Sequence, residues 1–338
     1  MKPFIFHGLV LLACCRLQAA TNLPPSTAVL LDEKTVIEAT AALAEYENPP
    51  KVAGRLTSVG GGVATILMNR WAAEFAALHP ETQFDIRGGG STNGLIELLQ
   101  GRVDLVPMNQ ALPAEYIAQF KTKFGYEPAR IVVAQDAVGV YVNKNNPIPR
   151  LTLAQLDAIY SGNSKRGAAR PEFWSDLGVS GPLAGRRIVR VSLSSAHGAY
   201  WFFRDEVMHG SDYGLEVHFE IVPSSLVQAA GADEAALGFA SIIFATARTR
   251  FVPLQAADGS DLLPSYENTV SGRYPLVRPA LIVFNRKPDG SMNPVAREFM
   301  RFAVSRRGQR IIALAVGYPI TLEQQRQALQ VIGSPAQR

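Results

Sequence analysis

The sequence predicts an α/β fold arranged as two domains or one large two-lobed unit, and three observations carry that prediction. The chain has 338 residues, more than one ordinary hydrophobic core organises. Short apolar runs alternate with Gly-rich turns and helix-spaced apolar residues, the pattern of strands feeding helices. No repeat of fixed period runs along the chain, so solenoids and propellers are excluded. Composition agrees, since 47% hydrophobic and 18% charged residues describe a globular chain and not a disordered one.

Residues 1–20 carry Lys2 and then a mostly apolar run from Pro3 to Ala13, which reads as a secretory signal. That run is too short to span a bilayer, and no other segment reaches about 18 apolar residues. Both cysteines, Cys14 and Cys15, fall in this segment, so the body has no thiol for a disulfide or a thiolate metal site. Two processing routes fit. Leu11-Leu12-Ala13-Cys14 resembles a bacterial lipoprotein box, which would leave a lipidated Cys14; cleavage near Ala19 or Ala20 would remove both thiols. Either route places the protein in the periplasm or cell envelope, touching the membrane only through a lipid on Cys14.

Residues 21–54 read as a spacer with one helical stretch. Pro24-Pro25 and Pro49-Pro50 bracket Val36, Ile37, Ala41, Leu43 and Ala44 at helical spacing. A helix packed on the body and a loose arm both fit. The organised part begins near Arg55. A strand from Arg55 to Val59 meets Gly60-Gly61-Gly62, and a helix follows with Leu67, Trp71, Phe75 and Leu78 on one face, ended by His79-Pro80. A second strand, Phe84 to Arg87, runs into Gly88-Gly89-Gly90-Ser91-Thr92-Asn93-Gly94. The next helix carries Leu95, Ile96, Leu98 and Leu99 and stops at Gly101, and Val103 to Pro107 forms a third strand.

The Gly/Ser/Thr turn has the chemistry of anion capture. A helix start offers unpaired N–H groups and partial positive charge, glycines permit close approach, and hydroxyls add donors. A plain strand-to-helix connection uses the same residues. It is not a P-loop, because no Gly-Lys-Ser/Thr follows, and the acidic residue of a dinucleotide fingerprint is missing.

Several function classes fall away. The formal net charge is +4, and the nearest basic cluster, Arg301, Arg306, Arg307 and Arg310, has the spacing of a helix's polar face, so no nucleic-acid partner is expected. No carboxylate or second histidine stands at ligand spacing from His197, so no metal or cofactor is expected. Ser194 and Ser195 near His197 lack the Gly-x-Ser-x-Gly elbow of a nucleophile, and no catalytic residue or enzyme activity is expected. Tyr200 to Phe203 is an aromatic run of the kind that packs a core.

Five segments together carry a resemblance. The run GGGSTNGLIELLQGRVDLVPMNQAL (88–112) resembles the early segment of phosphate-binding receptors of bacterial phosphate ABC transporters. DAVGVYVNKNNPIPRLTLAQLDAIYSG (136–162), followed by WSDLG at 174–178, is similar to that family's most recognisable stretch. VSLSSAHGAYWFFRDEV (191–207), ALGFASIIFA (236–245) and GRYPLVRPALIVFN (272–285) match later family segments in order. The similarity spans about residues 55–325. It implies a periplasmic-binding-protein fold, each lobe a mixed sheet flanked by helices, with hinge strands at Val138–Asn143 and Ala280–Asn285. Lobe one would take 55–145 and 246–325, lobe two 146–245, and 326–338 a C-terminal tail.

The resemblance also places a binding site, and there the chain departs from the family. Gly90, Ser91 and Thr92 match the first anion-binding turn, while Gly62 and Val63 occupy a region where a hydroxyl is usual. Asn109 stands where the family carries an aspartate that accepts a proton from phosphate and so helps to reject sulfate. The second turn, an arginine followed by a Ser-Gly-Thr group in the family, here reads Leu193 through Ala196, His197, Gly198 and Ala199. Charge-assisted hydrogen bonds contribute roughly 1.5–3 kcal/mol each, so these losses imply several kcal/mol of weaker phosphate binding. Histidine does not replace the arginine, because a helix start disfavours imidazolium. The sequence therefore leads to a monomeric exported receptor for phosphate or a related oxyanion, working with an ABC permease of the inner membrane. A degenerate receptor acting as a periplasmic scaffold or sensory partner, or binding a non-phosphate ligand, is the alternative.

Overall fold

The computed structural model describes residues 33–47, 49–313 and 317–333. The signal segment with Cys14, the first part of the spacer and the last five residues of the chain lie outside the described residues. The first part of the chain forms α1 (Glu33–Thr40), β1 (Gly54–Val59), α2 (Gly62–Leu78), β2 (Thr82–Arg87), α3 (Ser91–Leu99), β3 (Leu105–Met108) and α4 (Ala114–Phe124). Then come β4 (Ala129–Asn143), α5 (Leu153–Tyr160), β5 (Val189–Leu193), α6 (Gly198–Glu206), β6 (Val217–Glu220), α7 (Pro223–Ala232) and β7 (Ala236–Ser241). Three short strands follow, β8 (Thr249–Phe251), β9 (Leu254–Gln255) and β10 (Asp261–Leu262), then α8 (Tyr266–Val270). The chain ends through β11 (Val277–Phe284), α9 (Pro294–Val304), α10 (Arg306–Ala313) and α11 (Leu322–Ile332).

One sheet runs through the molecule in the order β2-β1-β3-β11-β4-β7-β5-β6, with β8 beside β4. At one end β1 lies parallel to β2 and β3; at the other β5 lies parallel to β6 and β7. The strands between are antiparallel, and β4 is shared. Its first half, Ala129 to Ala137, pairs with β11, and Val138 to Val142 pair with β7. Such a strand is covered on both faces, which is why its sequence is apolar almost throughout instead of alternating.

Helices cover each half of the sheet and enclose separate cores. Leu56, Trp71, Phe75, Phe284, Phe299 and Phe302 pack together in the first lobe. Leu156, Trp174, Phe203, Phe239 and Tyr274 pack in the second. The packing draws the lobe boundary elsewhere than expected. Val252, Leu254, Leu262, Tyr274 and Leu276 belong to the second core, and the Tyr274 hydroxyl donates to the Val138 carbonyl at 2.9 Å. The chain thus crosses at Asp136/Ala137 and at Val277/Arg278. The apolar run 138–143 is a central strand of the second lobe, and 280–284 lies in the first. The tail expected from 326 is also displaced: Thr321 caps α11, whose Ala328 and Ile332 are buried in the first core.

The spacer question resolves for the described part. Val36 and Leu43 are buried, the Arg306 N–H donates to the Ala44 carbonyl at 2.8 Å, and the Ala44 N–H donates to Gln325 Oε1 at 2.8 Å. This segment is packed on the first lobe. Among the described residues no helix is long and apolar enough to cross a membrane.

The close seating of α3 on β1 rests on Gly94, where a Cβ would stand 2.1 Å from the Val59 carbonyl oxygen. Gly94→Ala is expected to lower unfolding free energy by about 1–3 kcal/mol, since backbone must move. Gly88→Ala, where a Cβ would meet nothing within 4 Å, should stay within about 0.5 kcal/mol of the parent in urea unfolding.

Candidate functional site

Between the lobes lies a cleft of about 1030 Å³, walled by the ends of parallel strands from both sides. In open α/β sheets this is where helices begin and where ligands gather. From the first lobe come Gly60 and Gly61 after β1, Gly88 to Thr92 after β2, and Gln110 and Ala111 after β3. From the second come Leu193 and the turn Ser195 to Ala199 after β5, Ser241 at the end of β7, and Pro223 opening α7.

The helices that open onto this cleft share a feature. α2, α3, α6 and α7 have no side-chain hydrogen bond at their N-caps, Gly61, Gly90, His197 and Val222. Helices α5, α8, α9 and α11 are capped by Thr152, Ser265, Asn293 and Thr321; α4, behind Pro113, is uncapped too. A helix start leaves up to four backbone donors without intrahelical partners. Gly90 makes the first of these turns feasible: its φ of 86° favours glycine, and its N–H donates to the Gly60 carbonyl at 3.1 Å.

Most of the sequence-predicted residues gather here, with different roles. Gly90, Ser91 and Thr92 line the cleft opposite Ala196, His197, Gly198 and Ala199. Gly198 comes close to the other lobe, for a Cβ there would stand 3.2 Å from Gln110 Oε1. His197 is committed: its Nε2 bonds the Ile221 carbonyl, so that ring N–H is not offered to a ligand. Gly62 begins α2, whereas the side chain of Val63 lies outside the described residues. Asn109 is not on the cleft wall. It is buried, its Oδ1 accepts from the Ala64 N–H at 3.1 Å and its Nδ2 has no partner, while the next residue, Gln110, faces the cleft. The aromatic run divides as well. Phe203 stacks on Phe239 in the core at a centroid distance of 3.7 Å, but Trp201 and Phe202 line the cleft.

Gln110, Ser241, Asp205 and Glu206 on the cleft wall escaped the sequence reading, and so did two further polar groups that bear on binding. Thr65, one turn beyond the α2 start, lines the cleft with a buried hydroxyl that has no protein partner. Arg278, near the start of β11, also lines it. Its side chain is 7% exposed, and Nη2 donates to Asp136 Oδ2 at 2.7 Å. The Ser241 hydroxyl donates to the other carboxylate oxygen at 2.5 Å. Burial pushes the Asp136 carboxyl above its ordinary value, against the pull of Arg278, Ser241 and the Ala137 N–H. The sequence signal was a charge standing alone in each of two apolar runs, IVVAQDAVGVYV and PLVRPALIVF. A smaller cavity of about 420 Å³ in the first lobe includes Asp104, but Thr57 and Asn293 already use that carboxylate.

Residues 45–307 match the family described as the PBP superfamily domain. The phosphate-binding protein PstS of Pseudomonas aeruginosa is 30% identical over 294 residues, 86% of this chain and 91% of that one. The PstS of Staphylococcus epidermidis is 26% identical over 260 residues, 76% of this chain and 75% of that protein. Among solved structures, a phosphate ABC transporter substrate-binding protein of Clostridium perfringens with bound phosphate superimposes with a TM-score of 0.63 at 22% identity, covering 79% of this chain and all of that one. An ABC-type phosphate transport receptor of Vibrio cholerae gives a TM-score of 0.61 at 23% identity, covering 76% and 96%. The two-lobed fold is therefore shared with both.

A buried hydroxyl with no partner destabilises the unliganded protein by about 1–3 kcal/mol. Thr65→Val, which keeps the shape and removes the hydroxyl, is therefore expected to leave the urea midpoint of the ligand-free protein unchanged or higher. A fall of more than about 1 kcal/mol would show that the hydroxyl is part of the fold's own bonding.

Proposed function

The chain belongs to the PBP superfamily, and on that premise we propose that it is an exported solute receptor that binds phosphate, or a small oxyanion like it, in the interlobe cleft. It then presents the ion to an ABC permease of the inner membrane. The observation that carries this reading is that uncapped helix starts from opposite lobes, α3 at Ser91 and α6 at Gly198, open onto one cleft. Backbone N–H groups at such starts favour an anion, and the hydroxyls of Ser91, Thr92 and Thr65 add donors. An ion gripped from both sides stabilises the closed arrangement of two lobes joined by two strands, a hinge motion that a permease can read. Binding and release complete the cycle without bond-making, in keeping with relatives named as phosphate-binding and substrate-binding proteins.

The neutral amide of Gln110 on the cleft wall bears on selectivity. Phosphate near neutral pH retains a proton that a carboxylate can accept, and a carboxylate repels sulfate, which has none to give. Here the position matching that carboxylate is Asn109, which is buried off the cleft wall with its oxygen held by the Ala64 N–H, and the Gln110 amide faces the cleft instead. Sulfate is therefore tolerated better than a carboxylate site would allow.

Calorimetric titration of the mature protein in phosphate-free buffer tests both points. Phosphate is expected to bind, Ser91→Ala to weaken it about tenfold, and sulfate to compete within about tenfold of phosphate. Absence of heat and of thermal shift with every oxyanion, from well-folded ligand-free protein, would sink the receptor reading.

A further inference from the structure

Among the described residues lining the cleft, Arg278 is the only arginine or lysine. The remaining wall is Gly-rich backbone, hydroxyls, the Gln110 amide and apolar groups, with Asp205 and Glu206 on the later part of α6. Arg278 does not belong to either set of helix starts. It stands on β11 as the first residue past the crossing, directly opposite Asp136 in the β4–β11 ladder. Resting on the receptor reading above, we infer that Arg278 is the cation that holds the bound oxyanion, presented from the crossing strand and aimed by Asp136 and Ser241.

Four features support this role over a purely structural ion pair. Asp136 takes the guanidinium by one nitrogen, Nη2, while Arg278 Nε is buried without a partner. A guanidinium carries five N–H donors in a fixed fork, so donors are left for a ligand. The group is also pointed at the right place. Its Nη1 lies 3.8 Å from where a Cβ of Gly198 would stand, beside the start of α6. Phe202 holds the guanidinium from the side, with the ring centre 5.9 Å away. Asp136 is itself pinned by Ser241, so the arginine is oriented before any ligand arrives. Finally, a buried ion pair does little for stability by itself, because desolvating two charges offsets their attraction. Thus β11 supplies the positive charge that the resemblance would have placed at Leu193, whose position is filled by a buried aliphatic side chain.

The test is phosphate titration of the parent and of Arg278→Met and Arg278→Lys. Methionine is expected to weaken phosphate binding about tenfold to hundredfold and to flatten its dependence on ionic strength. Lysine keeps the charge without the fork and is expected to recover part of the loss. Because Arg278→Met strands a buried carboxylate, the double variant Arg278→Met/Asp136→Asn is measured beside it and should show the same loss from a cooperatively folded protein. Parent-like phosphate affinity in the folded double variant would overturn the inference while leaving the receptor reading intact. A parent protein that binds no oxyanion would overturn the receptor reading, and this inference with it.

Discussion

The ladder between β4 and β11 is the constraint on which both lobes and the cleft depend. These two strands carry the chain across, and their register sets Val277 against Ala137 and Arg278 against Asp136 at the crossing. Immediately beyond, Val138 leaves β11 for β7, so a single strand is the last of one lobe and the first of the next. Strand side chains alternate faces, and a slip of β11 by one residue would turn Arg278 to the face opposite Asp136. The lobe boundary and the one guanidinium among the described residues of the cleft wall are therefore fixed by the same pairing. The irregularity between Ala280 and Leu281 confines the bulge to the first-lobe side of that crossing.

Around this frame several unfavourable features border the cleft. A missing N-cap costs a helix about 0.5–2 kcal/mol, and a stranded buried polar atom about 1–3 kcal/mol. The chain elsewhere caps helices well, with Thr152 and Thr321 in reciprocal boxes and Asn293 serving two N–H groups. Its uncapped starts at Gly61, Gly90, His197 and Val222, the partnerless Thr65 hydroxyl and the Arg278 Nε all border the cleft. Stranded polar atoms also occur elsewhere, at Tyr116 and Ser211 among others, but the uncapped helix starts that meet at the cleft mark a surface shaped for something other than stability.

Local patterns in the sequence were legible, and pairings distant in the chain were not. Strands Gly54–Val59 and Thr82–Arg87, the helix ending at His79 and the one preceding Gly101 follow from apolar spacing and from Gly and Pro punctuation. The lobe boundary was not visible, because an apolar run looks the same whether it crosses between lobes or fills the middle of one. Asn109 and Gln110 were indistinguishable in sequence; only the direction of the chain after β3 sends the first inward to Ala64 and the second to the cleft. Arg278 was hidden because its meaning lies in a partner 142 residues away. The family pattern drew attention to Leu193, where a charge was missing, and not to the strand that brings one from elsewhere.

Arg87 makes clear why the position on the crossing strand matters more than proximity in sequence. It directly precedes the first glycine turn, yet its side chain is 52% exposed and paired with Asp85 at 3.3 Å. Recruiting it would require ordering a long mobile side chain and stripping its water at the moment of binding. Arg278 has both costs behind it: folding has already desolvated and oriented it against Asp136. Two unit charges about 4 Å apart attract by about 1 kcal/mol in bulk water and about 4 kcal/mol at the effective dielectric of a protein surface. An anion touching Arg278 in an open, wet cleft gains near the lower figure, and closure of the lobes moves the same contact toward the higher one. The cation sits on the strand joining the lobes, already beside the start of α6, so the electrostatic gain grows as closure excludes water from the contact. On the inference drawn for Arg278, the charge that holds the ligand also favours closure of the two lobes.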